Sequence, residues 1–238
     1  MVQHIYFQNE GQKLLGALHR PPADVTPRPL GIVMLHGWAG YRIGSHQMFK
    51  RLSERAEADG FISLRFDFRG RGDSEGAAED ANRSTMISDT LAAVERLRQE
   101  TDLERFALVG NCSGAEVAIG AAPLCEDVDT MVLWSAPKVG DDGSQTNGGQ
   151  KWHCMKHAIR RMLRIQTWRQ LFTGKLRWNM IQEALFGGAR GTESDAPETD
   201  EKINWRKRFL EFEGEVFFVY GGNDPITEPS LEHYLSLS

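Results

Sequence analysis

Five short apolar runs punctuate this chain, at 31–35, 61–66, 106–109, 131–134 and 216–220, and segments with helical spacing of apolar residues separate the first four. A strand that is apolar along its whole length is covered on both faces. Such strands joined by helices pair in parallel, with helices packed above and below. The expectation is an α/β fold around a mostly parallel central sheet.

The intervening segments support this. Met48, Leu52 and Ala56 share a helix face that Asp59-Gly60 ends. Met86, Ile87, Thr90, Leu91, Val94 and Leu97 share another, with Ser84 as the expected cap, and the small apolar residues 114–122 suit a helix lying close on a sheet. Residues 5–7 and 14–19 flank the turn-prone Asn9-Glu10-Gly11, which predicts an antiparallel hairpin at one edge, before the Pro-rich break 21–29.

The rhythm stops after 136. Residues 137–213 hold no strand candidate, only a Gly/Ser/Asn/Asp linker at 140–149, a basic helical stretch and an acidic loop at 193–201. The expected organisation is a core over 1–136, an inserted helical cap over 137–213, and a return to the core over 214–238. Between 151 and 182 there are eight Lys or Arg and no Asp or Glu, although the whole chain carries −5. On a helix through 151–172, Trp152, Met155, Ile159, Met162 and Leu163 form an apolar stripe, with Lys156, Arg160, Arg161 and Arg164 largely elsewhere. The cations form either a solvated face, the simpler reading, or a lid that attracts an anionic acyl substrate, with Trp152, Trp168 and Trp178 as apolar walls.

Several function classes are excluded at this level. A net charge of −5 leaves no basic footprint across the chain for nucleic acid. The first residues lack a basic segment followed by an apolar one, and no stretch approaches eighteen uninterrupted apolar residues, so the expectation is a cytoplasmic protein with no transmembrane segment. Three cysteines, Cys112, Cys125 and Cys154, have no paired spacing for a disulfide framework or a four-cysteine zinc site. His153 and His157 share a helix face beside Cys154, but no convincing third ligand accompanies them, so neither metal nor cofactor is expected.

Chemistry concentrates where strand 106–109 meets helix 114–122, at Gly110-Asn111-Cys112-Ser113-Gly114. Small flanking residues permit a strained strand-to-helix turn that thrusts the central side chain into a cleft. Taken alone, Cys112 is a buried structural cysteine; the flanking strand and helix favour a nucleophile instead. A thiolate is intrinsically nucleophilic, and the amino end of the following helix lowers a thiol pKa.

The pentapeptide resembles the G-x-S-x-G box of the α/β-hydrolase superfamily with cysteine in place of serine, as in dienelactone hydrolases and polyhydroxyalkanoate synthases. His36-Gly37-Trp38-Ala39-Gly40, closing strand Gly31–Leu35, resembles the His-Gly motif that opens the oxyanion loop there. Asp67-Phe68-Arg69-Gly70-Arg71-Gly72-Asp73-Ser74 resembles the D-x-R-G-x-G-x-S signature of its peptidase- and lipase-like members, with a scaffolding role. The resemblance implies an α/β-hydrolase fold in which the N–H groups of Trp38 and Ser113 hold an oxyanion and His36 is structural. Asp224, in Gly221-Gly222-Asn223-Asp224-Pro225, stands where the superfamily places the acid that orients its histidine.

That histidine is the gap. The superfamily places it beyond one further strand, and only fourteen residues follow Asp224. His233 lies in Leu231-Glu232-His233-Tyr234-Leu235, which has the pattern of a helix interior, and is not assigned the role. The expectation is a chain that stops before the last strand, the base and the final helix. The implied activity is hydrolysis of a small ester, thioester or related acyl substrate through a covalent acyl-enzyme on Cys112. Acyl transfer on the same cysteine and a noncatalytic binding protein on the same fold are the alternatives.

Overall fold

The apolar runs at 31–35, 61–66 and 106–109 become strands buried on both faces of one sheet, whereas the run at 216–220 becomes a strand on which Phe217 is 53% exposed, against the expectation of cover on both faces. In the computed structural model, which describes residues 2–139 and 203–237, seven strands pair in the order β1-β2-β4-β3-β5-β6-β7. They are β1 (Val2–Asn9), β2 (Gln12–His19), β3 (Gly31–Leu35), β4 (Ile62–Phe66), β5 (Phe106–Asn111), β6 (Val128–Trp134) and β7 (Glu215–Val219). The β1–β2 hairpin joins β4 through antiparallel pairing, and β4, β3, β5, β6 and β7 are parallel neighbours. The mostly parallel sheet and the edge hairpin are as the sequence predicts; β5 and β6 are longer, since Asn111 and Thr130 extend the ladder with backbone groups alone and Asp129 lies at a shift of register between β5 and β6.

Five helices accompany the sheet among the described residues: α1 (Met48–Ala58), α2 (Arg83–Glu100), α3 (Ser113–Ala121), α4 (Trp205–Glu211) and α5 (Thr227–Leu235). Alternation along the strands divides the core between two layers. Val33, Leu35, Leu108, Met131 and Leu133 pack with α2 and α3 in the main cluster, whereas Met34 and Val109 meet Phe49 of α1 in a smaller one.

The cap of α2 is Asn82 rather than the expected Ser84. Asn82 has extended backbone, its side chain accepts from Thr85 N–H, and its own N–H donates to Thr85 Oγ1 at 3.0 Å. Ser84 already has a place inside the helix.

A second difference concerns 203–213, which the sequence pattern groups with the cap. Trp205 of α4 is 4% exposed and belongs to the main core, where the Arg83 guanidinium lies 5.6 Å from its ring centre. The linker 140–149, the basic stretch 151–172 with Trp152, the tryptophans Trp168 and Trp178, the group His153, Cys154 and His157, and the acidic loop 193–201 lie outside the described residues. Among the described residues, no helix is long and apolar enough to cross a membrane.

Candidate active site

Parallel pairing brings the carboxyl ends of β3, β4, β5 and β7 to one edge of the sheet, and the loops leaving them carry every motif identified above. Cys112 is the single residue between β5 and α3. Its backbone sits at φ 55°, ψ −120°, a conformation that costs a non-glycine residue about 1–3 kcal/mol. The neighbours hold it there: Cys112 N–H donates to Trp134 O at 2.8 Å, and Ala115 N–H donates to Cys112 O at 2.9 Å.

The turn closes only because its flanks lack side chains. A Cβ on Gly110 would fall 2.3 Å from Gly114 O, and one on Gly114 would fall 2.2 Å from Leu35 O. The second contact also fastens the turn against the end of β3, where the His36-Gly37 loop begins.

That loop lies directly over the turn. A Cβ built on Gly37 would stand 3.6 Å from Cys112 Cβ and 3.5 Å from Ser113 Oγ. Trp38 N–H donates to Ser113 Oγ at 2.6 Å. Ser113 opens α3, so its own N–H belongs to the first turn, whose amides have no intrahelical acceptor. Cys112, Trp38 and Ser113 are therefore brought together.

His36 supports the loop from beneath. It is buried, its Nδ1 bonds Gly37 O at 2.8 Å, and Phe68 N–H reaches its Nε2 at 3.4 Å. One neutral tautomer, with the proton on Nδ1, satisfies both contacts. Burial chiefly, with the charge of Arg71 adding to it, holds its pKa below the usual histidine value, so His36 is a neutral prop.

The loop after β4 has the scaffolding part that its motif suggests. The Asp67 carboxylate accepts from Arg42 N–H at 2.5 Å, from Asp73 N–H at 3.0 Å and from the Arg42 guanidinium. A Cβ on Gly72, at φ 53°, would overlap that carboxylate at 2.2 Å. Arg69 grips Asp89 through Nε and Nη2 and Glu10 through Nη1. Arg71 turns instead toward the oxyanion loop, its guanidinium 4.9 Å from the centre of the Trp38 ring.

Asp224 follows β7 at the same edge of the sheet, two strands from the elbow. Its Oδ1 accepts from Ile226 N–H at 3.2 Å and its backbone O from Thr227 N–H at 3.1 Å, so it shapes the turn into α5. None of the described histidines hydrogen-bonds to it. His233 is inside α5, as its sequence context suggests; its ring packs edge-on to Tyr234, and its Nε2 is buried without a partner among the described residues.

Two further polar groups near the turn carry no signal in the sequence. Glu116, one turn into α3, is a buried carboxylate paired with Arg83 at 3.0 Å, and burial raises its pKa. The Ser113 hydroxyl was invisible because the notable feature of that position was its backbone N–H. Among the described residues no cluster of His, Cys, Asp and Glu could hold a metal ion.

A seven-stranded, mostly parallel sheet with an antiparallel hairpin at one edge, and a strained turn between β5 and the following helix, defines the α/β-hydrolase class. Residues 32–236 match the alpha/beta hydrolase family, to which this chain belongs. It is 33% identical over 106 residues to human Protein ABHD12B, covering 43% of this chain and 28% of that protein. It is also 33% identical over 107 residues to the AB hydrolase superfamily protein YisY of Bacillus subtilis, covering 44% and 37%. The match thus spans well under half the length of either relative. An esterase of Pyrococcus furiosus shares the fold, with a TM-score of 0.68 at 19% identity over 100% of this chain and 76% of that one.

Proposed function

We propose that this chain hydrolyses a small ester, thioester or related acyl substrate, with Cys112 as nucleophile and the N–H groups of Trp38 and Ser113 as oxyanion donors. The observation that carries the reading is the strained backbone of Cys112 at the amino end of α3, beneath the Gly37-Trp38 loop. A non-glycine residue held at positive φ in a turn flanked by Gly110 and Gly114 has a reason to be there, and a nucleophile supplies one. The family and the esterase fold agree with the chemistry.

In the first step the Cys112 thiolate, favoured by the helix end, attacks the acyl carbon, and an S–C bond forms as the carbonyl oxygen becomes an oxyanion. Collapse of that intermediate breaks the bond to the leaving group, which departs as an alkoxide or thiolate and takes a proton from water. Water then cleaves the thioester and restores the thiol. Asp224 is assigned to orient a general base, and no described residue is assigned as that base. A cytoplasmic setting, which keeps thiols reduced, suits a cysteine nucleophile.

Incubation with an activated ester, followed by intact-mass measurement, tests this. The expected result is a one-acyl adduct on the full chain that disappears in Cys112→Ala. An adduct that persists in the variant assigns the chemistry elsewhere, and absence of any adduct favours a noncatalytic binding protein. Added alcohol or thiol acceptors separate hydrolysis from acyl transfer, since only transfer yields the new ester or thioester.

A further inference from the structure

We propose that Arg71, lying over the Trp38 ring, is a recognition subsite for a carboxylate carried on the acyl part of the substrate, so that the enzyme selects monoesters or monothioesters of short dicarboxylic acids. The inference rests on the reading of Cys112, Trp38 and Ser113 as the reacting centre.

Three arginines surround the loop after β4, and their charges are handled differently. Arg42 is paired with both Asp67 and Asp73, and Arg69 with both Asp89 and Glu10. With its guanidinium lying 4.9 Å from the centre of the Trp38 ring, Arg71 has no carboxylate partner among the described residues. Its Nε is buried with no hydrogen-bond acceptor there. A buried guanidinium N–H without an acceptor is uncommon, because its loss of water goes uncompensated.

What it meets instead of an anion is the face of the Trp38 ring. Stacking on an aromatic face engages the π cloud of the ring and leaves the N–H donors, which lie in the guanidinium plane, pointing past the ring edge. Those donors match the two oxygens of a carboxylate in a bidentate pair. Trp38 is 46% exposed, so one side of this pairing is open to a ligand.

Location gives the arrangement its meaning. The residue whose ring carries Arg71 is the residue whose backbone N–H meets Ser113 Oγ, and its neighbour Gly37 is the position whose built Cβ would stand 3.6 Å from Cys112 Cβ. An acyl chain whose carbonyl oxygen enters the oxyanion site and whose far end is a carboxylate can reach Arg71 along one side chain. A carboxylate there also takes the place of the counter-ion that Arg42 and Arg69 each have.

The test compares succinyl and butyryl thioesters of N-acetylcysteamine on the full chain, together with calorimetric titration of succinate into Cys112→Ala. Wild type is expected to prefer the succinyl thioester, and Arg71→Gln to lower the succinyl-to-butyryl ratio of kcat/KM by about tenfold or more, with partial recovery in Arg71→Lys. Succinate should bind Cys112→Ala and lose about tenfold or more in affinity when Arg71→Gln is added. An unchanged ratio, or equal succinate affinity with and without Arg71, overturns the proposal. So does a preference found only when the carboxylate is on the leaving group. If Cys112 is not the nucleophile, thioester turnover either persists in Cys112→Ala or is absent from wild type, while succinate binding still reports on Arg71. Arg71→Lys, which keeps the charge over the ring, serves if the glutamine variant does not fold.

Discussion

At Ser113 the backbone and side chain of one residue act on the same small space. Its N–H is a candidate oxyanion donor, while its hydroxyl occupies the other candidate, Trp38 N–H, at 2.6 Å. An oxyanion arriving on the Cys112 acyl carbon must displace that hydroxyl to use both amides. A neutral hydrogen bond of this kind contributes about 0.5–1.5 kcal/mol, so Ser113→Ala is expected to raise kcat/KM by about two- to tenfold. Ser113→Thr, which keeps a hydroxyl, should stay near wild type. Steady-state kinetics on an activated ester decide it, and a fall in kcat/KM for the alanine variant would mean that the hydroxyl itself donates to the transition state.

Helix α3 joins this chemistry to the packing of the molecule. One turn beyond the elbow, Glu116 pairs with Arg83 of α2, and the same guanidinium lies over Trp205 of α4. Arg83→Ala leaves Glu116 buried without its cation. Breaking a fully buried pair costs about 3–5 kcal/mol, and since Arg83 is partly exposed and Glu116 can take up a proton, a loss of about 2 kcal/mol is expected at pH 7. The folded pKa of Glu116 is raised, so the group binds its proton more tightly folded than unfolded. Its penalty is absent at acid pH, where both states are protonated, and grows as pH rises through the usual glutamate range. Urea unfolding of Arg83→Ala should therefore approach wild type near pH 4 and depart from it at pH 7; a loss independent of pH would place the effect in Trp205 packing instead. Such a cluster was not legible in the sequence, whereas the strands were. Apolar runs and the hairpin signal located all seven; burial on both faces dictates the composition of β3, β4 and β5, while β7 is apolar although Phe217 and Val219 are exposed. Polar strand ends such as Asn111 and Thr130 escaped, since a ladder needs only their backbones. Trp205 escaped because a seven-residue helix with one buried anchor has no period to read. At the site, the elbow and the His36-Gly37 loop were legible as tight local motifs. The contacts from Ser113 and Arg71 to Trp38 were not, because only the fold makes those residues neighbours.

Across the whole molecule, two buried histidines tie stability to pH. His19 on β2 and His36 at the end of β3 are each 1% exposed. His19 Nδ1 bonds Glu57 at 3.1 Å and its Nε2 accepts from Arg65 Nε at 3.0 Å, an arrangement that needs the neutral ring, just as His36 needs its neutral tautomer between Gly37 and Phe68. Protonation at His19 Nε2 would turn the Arg65 contact into donor against donor and place two cations together inside the sheet. Burial is the chief cause that lowers both folded pKa values. The unfolded chain consequently binds more protons than the folded one as pH falls below about 6.5, and stability is lost in that direction. Two protons give a limiting slope of about 2.7 kcal/mol per pH unit, while above pH 7 these histidines contribute none. Urea midpoints measured between pH 5 and 8 should fall steeply on the acid side, and His19→Gln should remove about one proton from the slope whatever it does to the midpoint at pH 7.5. An unchanged slope in that variant would show that His19 is protonated in the fold, and would require Arg65 to have moved away from it.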